Sequence, residues 1–506
     1  MQEYIITVSD PKVWDEIWNT MTNSGLGDNY IPTRSIQVAN ERPFNEYCAH
    51  FYLTATEAAR LSQDPRLASV ELQADLQPGV IKVLPEVKTA LYDKGNTTTA
   101  SMKNWGLLRC STNSNPFSAS TAVTGDFNYN LDGTSVDIVI VDSGIEANHP
   151  EFAVNADGSG GSRVVDFNWA SLGVTGTASS ASIGGYLGDS DGHGTNCASI
   201  AAGNTCGWAS GAAVYSIRIY SGTNITTGSS LGAINSDLAF DLVKAFHLAK
   251  VAAGNTRPTV CSNSWGYIAS YDGMQFTNYR GTQYSNTTPS TTYGQVNPTH
   301  PTRINYIDIS AASCAAAGVI LVGAAGNYKH KSDISGGLDY NNYYRNSIGG
   351  NTYYHRGMTP TAADGMITVG AIDNTLTEQK GIYSETGPRV DLYAPGSMIM
   401  GAYANKSYVT AAVADARNSS YYLNKISGTS QATPQVTGVI ACLLQARPTL
   451  TGTQVKTFLT SNALSALTIT GSEDYTNGRH LLGGSNRVLF TPFNSSLRGR
   501  MTSSAS

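Results

Sequence analysis

The run at 136–141 is rich in β-branched apolar residues and passes directly into Asp142-Ser143-Gly144. Apolar residues on consecutive positions, rather than alternate ones, describe a strand covered on both faces, as in a parallel sheet with helices on either side. From Trp105 onward this reading repeats. Strands are expected at 213–219, 259–263, 318–322 and 366–369, and helices from His193 and over 234–252, 306–317 and 429–446. Alternation of this kind predicts an α/β fold, a parallel sheet flanked by helices, with reactive residues at the carboxyl ends of the strands. Two stretches, 267–301 and 328–358, interrupt the alternation. Both are rich in Tyr, Asn, Thr and Ser, and both read as long functional or disordered loops.

Within its 506 residues the chain has room for one large enzyme domain and a smaller companion. A net charge of −5 without a basic run gives no reason to expect a nucleic-acid or anionic-membrane partner. The seven cysteines (48, 110, 197, 206, 261, 314 and 442) show no paired or zinc-type spacing, so they read as buried free thiols. Cys197 follows His193 by four residues and shares a helix face with it. No apolar run reaches the ~18–20 residues of a membrane span. The opening Met1-Gln2-Glu3-Tyr4-Ile5-Ile6 enters a strand-like pattern at once and does not resemble a secretory signal peptide.

Residues 1–85 read as a small α+β unit in the order βαββαβ. Its strands are expected at 4–8, 35–38, 49–53 and 67–72. One helix carries Val13, Ile17 and Met21, and a second opens at Thr54-Ala55-Thr56-Glu57. That order predicts a ferredoxin-like sheet with both helices on one face. The small polar segment 94–101 reads as an exposed linker open to proteolysis.

Four residues carry candidate chemistry. Ser430, in Gly428-Thr429-Ser430, sits where a buried helix begins, with small neighbours that admit a substrate; Pro434 falls where a first-turn amide needs no partner. His193, in Gly192-His193-Gly194-Thr195, has glycine neighbours that leave the imidazole accessible, and a neutral imidazole accepts a hydroxyl proton near neutral pH. Asp142 leaves a buried strand, which is costly for a carboxylate unless it is hydrogen-bonded or useful; it can hold the tautomer of His193. Asn327, in Ala325-Gly326-Asn327, offers an amide donor to a developing oxyanion. Their ordinary structural alternatives are a helix cap, a satisfied histidine, a turn cap and a left-handed turn residue.

Taken together, Asp142-Ser143-Gly144, His193-Gly194-Thr195, Ala325-Gly326-Asn327 and Gly428-Thr429-Ser430 resemble, in order, the signatures of the subtilisin-like serine peptidases, the subtilases (peptidase S8). Ser264-Trp265-Gly266 resembles the family's substrate-binding segment, Ala394-Pro395-Gly396 the segment ahead of its nucleophile, and Trp105-Gly106-Leu107 the start of a mature member. The resemblance implies a serine endopeptidase with Asp142, His193 and Ser430 as triad and Asn327 as oxyanion donor. It also implies substrate bound as an added strand at Ser264, Trp265, Gly266, Ala325 and Gly326. Ala49-His50-Phe51, Thr54 to Ala59 and Asp64 to Glu71 are similar to the family's inhibitor-type propeptide. The resemblance therefore implies an autoprocessed zymogen: propeptide 1–85, linker with cleavage site 86–104, peptidase 105–480 and C-terminal tail 481–506. The implied partners are a polypeptide substrate and the chain's own propeptide.

Departures from the family pattern are Asn196, Gln431, Thr433 and Gln435. Gln431 replaces a common Met, which predicts a nucleophile without an adjacent oxidisable thioether. The stretch 203–212 lacks the carboxylates of the family's strong calcium loop, so no metal or other cofactor is assigned, with calcium left open. Two other readings remain at this stage: a catalytically silent subtilase-like binding protein, and a protease limited to itself or to assembly partners.

Overall fold

The computed structural model describes residues 1–73, 77, 80–83, 104–117, 129, 131–403, 412–469, 475 and 478–491. The expected linker segment 94–101 lies outside the described residues.

At the front, β1 (Gln2–Val8), β2 (Val38–Asn40), β3 (Cys48–Leu53) and β4 (Leu67–Leu72) form an antiparallel sheet in the order β2-β3-β1-β4. Helices α1 (Trp14–Thr22) and α2 (Ala55–Leu61) close one face over Ile6, Val8, Phe51 and Leu53. Thr54 and Glu57 make the reciprocal bonds of a capping box, which sets where α2 begins. The strand expected at 35–38 starts later, because pairing with β3 begins only at Val38 and is irregular before Asn40, while Ser35 Oγ is committed to the carbonyl of Thr22. Ile5 and Cys48 point from the opposite face into the core of the larger unit.

That unit is built on seven parallel strands. They are β6 (Asp137–Asp142), β7 (Val164–Val165), β8 (Ala213–Arg218), β9 (Thr259–Asn263), β11 (Ile320–Ala324), β12 (Met366–Ile372) and β13 (Leu392–Pro395), ordered β13-β12-β11-β9-β6-β8-β7. The pleat explains the apolar run. Ile138 and Ile140 pack under α4 (His193–Ala202) and α7 (Thr429–Ala446), whereas Val139 and Val141 face α5 (Ala239–Ala252) and α6 (Asn305–Ala316). The helix expected from 234 begins at Ala239, because residues 234–238 turn first, with Ile234 N–H on Arg218 O and Leu238 N–H on Asn235 O. Helix α3 (Trp105–Ser111), strand β13 and helix α8 (Gly452–Asn462) were not foreseen.

The Tyr-rich stretches are only in part loops. Phe276–Tyr279 pairs with Thr282–Tyr284 in a hairpin of the first stretch, Tyr343–Arg345 with Asn351–Tyr353 in one of the second, and Phe276–Tyr279 with Tyr343–Arg345 joins them into one four-stranded antiparallel sheet. Tyr271, Met274, Tyr344 and Tyr354 form its core, and Arg280 with Asp339 an ion pair across it. Tyrosine suits a half-buried pleated surface. The pairing that joins the two hairpins links Thr277 to Tyr344, too far apart in sequence for a local pattern to reveal.

Candidate active site

Asp142 ends β6, His193 opens α4, Ser430 is the second residue of α7, and Asn327 follows β11, so four separate elements converge at the carboxyl edge of the sheet. His193 Nδ1 lies 2.9 Å from Asp142 Oδ1, with both side chains 1% exposed. Burial is the largest single effect and works against the imidazolium, but the charge and hydrogen bond of Asp142, together with Cys197, outweigh it and raise the His193 pKa above its ordinary value.

The turn carrying His193 is held by a residue that motif reading missed. Asp189 Oδ1 accepts from Ser143 Oγ (2.7 Å), Asp191 N–H and Gly192 N–H, and its Oδ2 accepts from Thr195 N–H and Thr195 Oγ1. Ser143 Oγ in turn accepts from Gly194 N–H at 2.9 Å. One buried carboxylate thus ties the Asp142-Ser143 corner to the His193 helix. The only sequence signal was an Asp four residues before the histidine, in a turn-forming Asp-Ser-Asp-Gly context.

Ser430 Oγ donates to the carbonyl of Ser264 at 3.2 Å, and His193 Nε2 is a buried atom without a hydrogen-bond partner among the described residues. Hydroxyl–imidazole contacts are commonly loose before substrate binds. Cys197 joins the two helix starts, with its Sγ 3.4 Å from Ser430 O and 3.8 Å from His193 Nδ1. Pro434 explains why the Ser430 carbonyl can take such contacts. It is the sixth residue of α7, not a first-turn position as its sequence context suggested, and it has no N–H for that carbonyl. The oxygen instead accepts from Ser264 Oγ at 3.0 Å and from Cys197.

Asn327 is oriented by the same helix. Its Oδ1 accepts from Thr429 N–H at 2.9 Å and Thr429 Oγ1 at 3.0 Å, while its buried Nδ2 has no partner among the described residues. Thr429 Oγ1 also accepts from Gly326 N–H at 3.1 Å. The amide therefore presents an unused donor beside the start of the Ser430 helix. Gly326 has φ +115, and a Cβ there would press within 2.7 Å of Glu385 Cγ, so glycine is required on both counts.

The Ser264-Trp265-Gly266 segment leads into β10 (Gly266–Ser270). One edge of β10 takes residues Thr299–Pro301, and the other takes β5 (Val80–Val83) from the front of the chain, antiparallel, with Val83 opposite Gly266 and Val80 opposite Ala269. The Trp265 side chain is fully buried against Phe240 and Tyr267, which leaves backbone as what this residue offers at the segment's edge. Ala325 is buried, with its N–H on Val369 O.

All seven cysteines are buried thiols. Donor atoms of Asp142, His193 and Cys197 lie within 4.8 Å of one another, a spacing that a cation could use. The chemistry fits a hydrogen-bonded pair better. His193 Nδ1 already engages Asp142, and burial raises the Cys197 pKa, favouring a protonated thiol, a poor ligand. No helix among the described residues is long and apolar enough to cross a membrane.

Residues 133–488 match the family model described as the Subtilase family. The chain is 26% identical over 437 residues to an extracellular serine proteinase of Thermus sp., covering 86% of this chain and 73% of that protein. It is 26% identical over 431 residues to alkaline serine exoprotease A of Vibrio alginolyticus, covering 85% of this chain and 57% of that one. In fold it resembles fervidolysin from Fervidobacterium pennivorans, a keratinolytic enzyme related to subtilisin. The TM-score there is 0.53 at 17% identity, over 98% of this chain and 61% of that one.

Proposed function

The chain belongs to the subtilase family of serine-type hydrolases, and from that membership we propose that it is a serine endopeptidase acting through Asp142, His193 and Ser430. The observation that carries the proposal is the Asp142–His193 pair, 2.9 Å apart and buried, with Nε2 of the imidazole unpartnered among the described residues. His193 takes the Ser430 proton as the hydroxyl turns from Ser264 O and attacks a peptide carbonyl. Asn327 Nδ2 and the Ser430 backbone N–H stabilise the oxyanion. His193 then protonates the leaving amine, and water releases the acyl group.

Residues 1–85 act as a ferredoxin-like, inhibitor-type proregion, removed by a cut within 86–104. The pairing of β5 with β10 supports this reading, since a strand from the front of the chain lies where extended substrate would add. Ser264, Gly266 and the backbone of Trp265 bind that strand, with Ala325 and Gly326 on the oxyanion side.

The test is fluorophosphonate labelling with mass spectrometry of the expressed chain, wild type against Ser430→Ala. Label on Ser430 and a fragment beginning within 86–105 are expected only in the wild type. An unlabelled, uncut wild-type chain would sink the reading.

A further inference from the structure

Asn327 lies in a stretch of backbone that one buried acid holds from both sides. Glu385, in the connection between β12 and β13, is fully buried. Its N–H donates to Gly326 O at 2.9 Å, and its Oε1 accepts from Tyr328 N–H at 3.1 Å. The two bonds bracket Asn327, one on the residue before it and one on the residue after. The stem of the same side chain closes the space behind Gly326, where a Cβ would meet Glu385 Cγ at 2.7 Å.

Backbone pairing continues beyond this point, with Lys329 N–H on Tyr383 O and Thr386 N–H on His330 O, both at 3.1 Å. Any residue but proline at position 385 could supply the backbone half of the grip. Only a side-chain acceptor of this reach supplies the Tyr328 half. The position of Glu385 is itself fixed: buried Lys380 donates from Nζ to Ser384 O at 2.7 Å and to Gly381 O at 3.0 Å, and Ser384 Oγ accepts from Ala371 N–H of β12 at 3.0 Å. A carboxyl group taken out of water is costly unless it makes a contact the fold uses. Burial outweighs the Tyr328 hydrogen bond and the Lys380 charge and holds this carboxyl well above the usual carboxylate range. The uncharged acid therefore meets Tyr328, and it adds no negative charge near Asn327.

We propose that Glu385 is a positioning residue for the oxyanion donor: by holding Gly326 O and Tyr328 N–H together it fixes the backbone of Asn327, while Thr429 fixes the amide, so that Nδ2 is aimed before substrate arrives. This rests on the peptidase reading, with Asn327 as the donor. The carboxyl touches neither substrate nor the reacting atoms and acts only through Asn327. A donor of this kind contributes most when it is placed in advance, and a displacement of about 1 Å can cost on the order of 100-fold in rate. Losing Oε1 leaves Tyr328 N–H without its acceptor and lets the backbone around Asn327 relax. Extended substrate keeps its contacts with Ser264 and Gly266, so the loss falls on kcat.

The test compares Glu385→Leu, Glu385→Asp and Glu385→Gln in the full chain, by steady-state kinetics on a peptide amide with active sites counted by fluorophosphonate titration. Glu385→Leu should lower kcat on the order of 10- to 100-fold with KM little changed. Glu385→Asp, whose oxygen falls short of Tyr328, should lie between it and the wild type. Glu385→Gln should recover most of the lost turnover, because its amide oxygen can accept from Tyr328 N–H. In an Asn327→Leu background, Glu385→Leu should cost almost nothing further, since the group it positions is gone. Melting temperatures identify a variant that fails to fold; if Glu385→Leu does, Glu385→Asp carries both the comparison and the double-variant measurement. Wild-type kcat in Glu385→Leu, a loss confined to KM, no recovery in Glu385→Gln, or full additivity with Asn327→Leu would each overturn the proposal while leaving the peptidase reading in place. A wild-type chain that neither labels nor cleaves would overturn both.

Discussion

Gln431 Nε2 donates to Asn196 Oδ1 at 3.2 Å, and both side chains are fully buried. One residue follows the proposed nucleophile and the other lies three after the proposed base, so the contact couples the first turns of α7 and α4. Asn196 Nδ2 continues the chain to Ala402 O at 3.3 Å. Two departures from the family pattern are thus one paired feature. A third, Gln435, is similarly employed: it exchanges amide hydrogen bonds with Asn104 and accepts from Trp208 Nε1 at 2.6 Å.

Gln431→Leu should destabilise the fold by about 1–3 kcal/mol, because it leaves Asn196 Oδ1 buried without a donor. Combining it with Asn196→Leu should recover part of the loss. Urea unfolding of the single and double variants in a Ser430→Ala background measures the coupling; strict additivity would show that the contact is not made.

Mild peroxide should leave activity largely intact. The residue after Ser430 has no thioether, and Met358, which packs behind Gly266, is fully buried. Rapid inactivation, with sulfoxide mapped to Met358, would contradict this.

Asn327→Leu should lower kcat by about 10²–10³ with little change in KM, since the donor it removes is the one proposed to act on the oxyanion rather than on bound substrate. Steady-state kinetics on a peptide amide decide the matter, and turnover equal to wild type would remove Asn327 from the mechanism.

The acid limb of kcat/KM should have its midpoint above 6.5. Burial opposes the charged ring, but Asp142 and Cys197 together overcome it and raise the His193 pKa. The base works only when neutral, so activity is lost as pH falls through that raised value. Asp142→Asn should move the limb downward along with a large loss of rate; a wild-type midpoint below 6 would contradict the assignment.

The Tyr-rich sheet should loosen in acid. Burial lowers His300 and His355 to about 4 and His330 well below its ordinary value. Neutral rings are favoured in the fold, so their contribution is complete above about 6.5 and is lost as pH falls toward 4. It amounts to on the order of 3 kcal/mol for each of His300 and His355. Melting temperature followed from pH 7 to 4.5 should drop steeply, and less steeply in His330→Phe.

What the sequence could determine was local. Consecutive β-branched residues ending at Asp142 specify a strand covered on both faces, Thr54 with Glu57 starts a helix, and Gly428-Thr429-Ser430 opens another, because each depends on a few adjacent residues. Tertiary structure decided what depends on distant chain segments meeting. Gln431 finds Asn196 across 235 positions, and Arg42 finds Asp241 across 199. The two Tyr-rich stretches become one sheet only when Thr277 pairs with Tyr344. Side-chain periodicity records which face of an element is buried, but not which distant donor waits there, and that choice belongs to the packed chain.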